Sequence, residues 1–260
     1  MGSSAEVQLR LARRDRWLLT AALILVTTLA WADLLHMAAT MQAPMAPEPL
    51  GEQAWSLGDA AAMVAMWIVM MIAMMVPSAA PMVLLYGAVA RKARDQGTVL
   101  APSVVFLSGY LLVWSAFSVV ATLLQWGLDQ AALLSPMLVL SSPWIGGSIL
   151  IAAGFYQFTP AKHACLAHCR SPVHFLSGHW QPGWCGAVRM GLEHGLYCLG
   201  CCWILMALLF VGGVMNLGLI AAISLFVLAE KLLPFGVWAG RLAGGGAMVA
   251  GLLMLPLRPG

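Results

Sequence analysis

His194, Cys198, Cys201 and Cys202 lie in the run HGLYCLGCC at positions i, i+4, i+7 and i+8. On an α-helix of about 3.6 residues per turn, these positions share one face. Three thiols and an imidazole on one stripe supply most of a trigonal or tetrahedral shell for a soft metal ion. Glu193 sits beside them, and a carboxylate inside an apolar segment needs a partner or a function. One buried cysteine is most simply a small hydrophobe that helps helices pack. Three of them with a histidine on one face favour metal or redox chemistry.

A second constellation is KHACLAHC, Lys162 to Cys169. If this run is helical, Cys165 meets His168 at i+3 and Cys169 at i+4. Cys165 and Cys169, with His163 or His168, then form a pair-plus-imidazole ligand set. The spacing is not the CxxC of a zinc site, and a basic interfacial turn explains the run equally well. His174, His179 and Cys185 follow and could join either set, although each alone reads as structural.

Sulfur also appears as thioether. Met63, Met66, Met70 and Met74 recur at steps of 3, 4 and 4 residues, and Met71, Met75 and Met82 extend an adjacent row. Thioethers are soft and uncharged, which suits Cu(I), yet methionine is also an ordinary filler of apolar cores. Asp33, His36, Met37, Met41 and Met45 lie near the outer end of the first apolar run. Together these residues trace a route from outside, along Met66, Met70 and Met74, past the cysteines to His163 through Cys169. Such a route would serve uptake or efflux.

The elements that must carry these residues follow from composition. Of 260 residues, 62% are hydrophobic and only 9% charged, against about 25% charged in soluble domains. Apolar runs near 17–38, 59–88, 99–126, 139–159, 188–212, 217–233 and 242–257 are of a length to cross a bilayer, which takes about 20 helical residues. Lipid leaves the backbone no outside partner, and the period-2 pattern of a barrel is missing. The expected fold is an all-α polytopic transmembrane bundle of about seven helices, forming a single domain over 17–257.

Residues 1–16 form a basic N-terminus, with Arg10, Arg13, Arg14 and Arg16 ahead of the first apolar run, which reads as a retained anchor. With that end in the cytoplasm, every Lys and Arg except Arg258 falls on the cytoplasmic side, giving an N-in, C-out orientation. The segment 160–188 is then the largest cytoplasmic connection, rich in Cys and His. Segments 41–58 and 127–138 face outward. Pro77 and Pro81 interrupt the second helix and predict a kink. Glu230 and Lys231 read as a charge pair at a helix end, with Lys231 able to reach the surface.

Other chemistries lack their motifs. There is no GxxxxGK[ST] loop, no CxxCH haem attachment and no glycine-rich dinucleotide fingerprint. Neither catalytic residues nor a nucleic-acid partner is expected. All six cysteines fall between Cys165 and Cys202, which is not a secreted disulfide framework.

Three stretches carry a family resemblance: MWIVMMIAMMVPSAAPM (66–82), YQFTPAKHACLAHCRSP (156–172) and GLEHGLYCLGCCWILMALLFVGGVMNL (191–217). EKLLPFG (230–236) joins them. The chain resembles the DUF2182 family of bacterial integral membrane proteins, and the resemblance implies metal binding. The combined expectation is a multi-pass protein of the bacterial inner membrane, in contact with the lipid bilayer. It would bind Cu(I), or secondarily Zn(II), for transport or for delivery to a metallochaperone or a larger membrane complex.

Two alternatives stand beside it. A membrane thiol–disulfide protein would use Cys201 and Cys202 with Cys198 against Cys165 and Cys169, though adjacent or i+4 helical cysteines are poorly placed to bond one another. An accessory subunit would present Gly212, Gly213 and Gly244 to Gly246 as helix-contact surfaces.

Overall fold

The structure, a computed structural model, describes residues 2–41, 55–95, 101–135 and 138–255. Met45, Arg258 and most of segment 41–58 lie outside these, as do residues 256 and 257 of the last expected helix.

Nine helices form among the described residues: α1 (Gly2–Met41), α2 (Leu57–Asp95), α3 (Ser103–Gln130), α4 (Pro143–Tyr156), α5 (Pro160–Arg170), α6 (Pro172–His179), α7 (Gly183–Gly212), α8 (Leu217–Leu232) and α9 (Gly236–Met254). Local sequence explains their ends. Proline opens α4, α5 and α6 at the position where a missing N–H costs nothing. The Thr159 hydroxyl accepts from the Lys162 amide to start α5, and Asn216 caps α8 the same way through the Leu219 amide. Gly213, at φ +99°, ends α7 in a conformation that favours glycine.

The seven expected apolar segments each fall on a helix, and the connection 160–188 is helical too, carrying α5 and α6. Five helices, α1, α2, α3, α7 and α9, are long and apolar enough to cross a membrane. At 14 and 16 residues, α4 and α8 are shorter than a straight crossing of about 20.

The distribution of polarity is inverted relative to a soluble protein. Leu242 and Leu253 are 76% and 80% exposed, while Lys162, Glu230, Lys231, Gln125 and His194 are buried. Water would penalise that arrangement, and hydrocarbon favours it.

Close backbone approach organises the bundle. An added Cβ on Gly109 would strike the Val188 carbonyl, and one on Gly191 would strike that of Phe106, so these two glycines let α3 and α7 cross in contact. Gly154 and Gly244, with Gly147 and Gly251, do the same for α4 and α9. Gly244 is therefore used within the chain, whereas Gly245 and Gly246 face open space.

The prolines of α2 have a visible consequence. Pro77 cannot donate to the Ala73 carbonyl one turn earlier, and that oxygen instead accepts the Trp31 indole N–H from α1 at 3.2 Å. The next carbonyls, Met74 and Met75, also receive side chains from elsewhere. Ser224 of α8 donates to the first at 3.4 Å, and Tyr110 of α3 donates to the second at 3.2 Å. Three neighbouring helices thus satisfy backbone that lipid could not.

Candidate metal centre

Helix α7 buries one face against α3, α5 and α2, and His194, Cys198, Cys201 and Cys202 all lie on it. The thiols of Cys201 and Cys202 fold back to donate to the Cys198 carbonyl at 3.1 and 2.9 Å. This brings both sulfurs beside that of Cys198.

The second constellation joins the first. On α5, Lys162, Cys165, Leu166 and Cys169 share the inward face. Cys169 adjoins Cys198 and Cys201, and the Cys165 sulfur rests against Gly200, where any side chain on α7 would collide with it. Burial, with the Cys201 thiol adding to it, pushes the Cys165 thiol above its ordinary range. Cys169 of α5 therefore adjoins Cys198 and Cys201 of α7, and Cys202 lies beside the same two. All six cysteines are free.

The methionine row lines the same region. Met66, Met70 and Met74 are buried in the apolar cluster that contains Cys198, Cys201 and Cys202. Met63, in the second turn of α2, accepts the Gln125 amide on its sulfur at 3.2 Å. Met82 belongs to a separate cluster around Tyr86 and Phe106.

The histidines are distributed differently. His194 packs among Phe106, Tyr110 and Phe175, and its Nδ1 has no hydrogen-bond partner. A buried ring nitrogen without a partner is a lone pair or N–H held ready for something else. His168 stacks on Tyr197 at 4.0 Å between ring centres and turns its Nδ1 to the Ala164 carbonyl, so it faces an aromatic group with Phe175 and His179 and not the thiols. His163 lies half-buried on α5, turned about 100° around the helix from Lys162. Glu193 binds Arg189 at 3.1 Å through one oxygen, and its other oxygen is buried without a partner.

One member of the site was read wrongly from sequence. Lys231 neither pairs with Glu230 nor reaches the surface. Its ammonium donates to the Cys198 sulfur at 2.9 Å and to the Ser78 hydroxyl at 3.0 Å. Glu230 instead holds Lys162 at 2.6 and 2.8 Å, with Gln157 also bonded to that ammonium. Consecutive residues on a helix diverge by about 100°, so Glu230 and Lys231 serve different interiors. Tyr110 completes the surroundings, its hydroxyl 3.1 Å from the Cys198 sulfur.

Residues 64–254 match the PpoB2 copper-chaperone family. The chain belongs to that family. The match begins after α1 and covers every helix that carries a site residue. No curated protein and no solved structure matches the chain.

The donor set fits a soft ion in kind: thiols, thioethers and an unpartnered imidazole, among buried apolar side chains. Among the described residues, no three His, Cys, Asp or Glu side chains are arranged as a ready shell around an ion. The thiol hydrogens are directed to the Cys198 carbonyl, and the Lys231 ammonium is bonded to the Cys198 sulfur. An ion held through Cys201 or Cys202 would take the proton that this thiol now donates to the carbonyl.

Proposed function

We propose that this chain is a membrane-embedded copper chaperone that holds Cu(I) as cargo between α7 and α5 and delivers it to a copper-requiring protein. The observation that carries this reading is the approach of Cys169 on α5 to Cys198 and Cys201 on α7, with Cys202 beside those two, in a chain of the copper-chaperone family. Two of these thiolates suffice for Cu(I), which accepts low coordination numbers and prefers soft ligands. Met66, Met70 and Met74 are the approach, able to bind the ion weakly and release it. His194 is a reserve nitrogen ligand beside the thiols. His163, Cys165, His168 and Glu193 lie on the cytoplasmic side and act in transfer rather than storage. Zn(II) is the weaker candidate, because thioethers have little affinity for it.

The chain sits in the bacterial inner membrane with its N-terminus inside, and α4 and α8 complete seven crossings. It resembles DUF2182 through the same motifs that hold the thiols and methionines. Copper content of the purified protein tests the reading. The wild type is expected to retain Cu(I), and the C198S/C201S/C202S variant to lose it. Equal copper in both would overturn the thiol site.

A further inference from the structure

Two lysines are buried in the bundle, and they are partnered differently. Lys162 is neutralised by Glu230. Lys231, only 6% exposed, has the Cys198 sulfur and the Ser78 hydroxyl as partners, and among the described residues it makes no ion pair. A fixed positive charge therefore stands against the sulfur at the centre of the thiol cluster. An unbalanced charge is expensive in such an interior, and any complex formed there must include Lys231 in its charge balance.

This inference rests on the copper reading above. We infer that Lys231 is a specificity-determining residue that restricts the cluster to soft monovalent cations. A monovalent ion bound by two thiolates carries one net negative charge, which the Lys231 ammonium cancels. A divalent ion with the same two thiolates is already neutral, and Lys231 then leaves one positive charge without compensation. To restore neutrality the divalent ion must enlist a third thiolate. That thiolate is either Cys169, drawn in from α5, or the second of Cys201 and Cys202, whose loss leaves the Cys198 carbonyl without either side-chain donor. With Lys231 in place, one monovalent ion and two thiolates form the least costly neutral set.

The test is an equilibrium competition between Ag(I), a redox-stable monovalent ion, and Cd(II), a soft divalent one, for the purified full-length protein in detergent. Bound metal is read by mass spectrometry for the wild type, K231M, K231Q and K231R. The wild type and K231R are expected to favour Ag(I), whereas K231M and K231Q shift the occupancy ratio toward Cd(II) by about tenfold or more. An unchanged ratio in a neutral variant that elutes and melts like the wild type would overturn the role of Lys231 and leave the copper reading standing. If neither neutral variant folds, the wild-type ratio decides, and a preference for Cd(II) overturns the inference. A wild type that binds neither ion overturns the copper reading, and this inference with it.

Discussion

The ammonium of Lys231, on α8, lies 2.9 Å from the sulfur of Cys198, on α7, deep among apolar side chains. The neighbouring carboxylate, Glu230, is turned to Lys162. This contact joins the two helices at the point where the thiols gather, so the packing of α8 and the character of the sulfur site depend on each other.

The Lys162–Glu230 pair is 1% and 3% exposed, and removing one partner strands the other charge. E230Q is expected to destabilise the protein by about 3–5 kcal/mol, whereas K162M/E230L recovers most of that loss. Thermal unfolding in detergent measures both. A single variant as stable as the wild type would show that the pair has no structural weight.

Trp31 and Pro77 should be energetically coupled through the Ala73 carbonyl. W31F is expected to cost about 1 kcal/mol in the native background. In a P77A background the new backbone amide supplies the missing N–H, and the cost should fall. A double-mutant cycle by thermal unfolding reads the coupling, and strict additivity would contradict this use of the freed carbonyl.

Thiol labelling should divide the cysteines by position. Cys185 is exposed, and Cys198, Cys201 and Cys202 are buried. A membrane-impermeant maleimide applied to the folded protein in detergent is expected to label Cys185 rapidly and Cys198, Cys201 and Cys202 only after denaturation. Prompt labelling of Cys201 or Cys202 in the folded state would mean that the cluster opens to solvent.

The methionine row separates packing from transfer. Met70→Leu conserves volume, so its stability cost is expected to stay below about 1.5 kcal/mol. If the thioethers are the approach, the same variant slows the rate of Cu(I) loading without changing the final copper content. An unchanged loading rate would assign the row to packing alone.

Parts of this site were legible in the sequence because helical periodicity is local. His194, Cys198, Cys201 and Cys202 share a face by spacing alone, as do Cys165 and Cys169. That the Ala73 carbonyl is left free follows from the donor Pro77 lacks. That Cys169 adjoins Cys198 was not legible, since it depends on how α5 folds back onto α7, where Gly200 leaves room for the Cys165 sulfur. Lys231 was misread for a related reason. A lysine at the end of an apolar helix usually reaches for water. Its actual direction is set by the α7–α8 turn at Gly213 and by the Ser78 hydroxyl on α2, both remote in sequence from residue 231. The side-chain partners of the Ala73, Met74 and Met75 carbonyls were hidden in the same way, because they come from α1, α3 and α8.

The most direct measurement is copper X-ray absorption on the purified protein carrying one equivalent of Cu(I), compared with the C198S/C201S/C202S variant. The wild type is expected to show a first shell of sulfur alone, from two or three ligands, and the variant is expected to lose both the signal and the bound metal. A shell dominated by nitrogen or oxygen, or a sulfur shell unchanged in the variant, would contradict a copper site built on Cys198 and its neighbouring thiols.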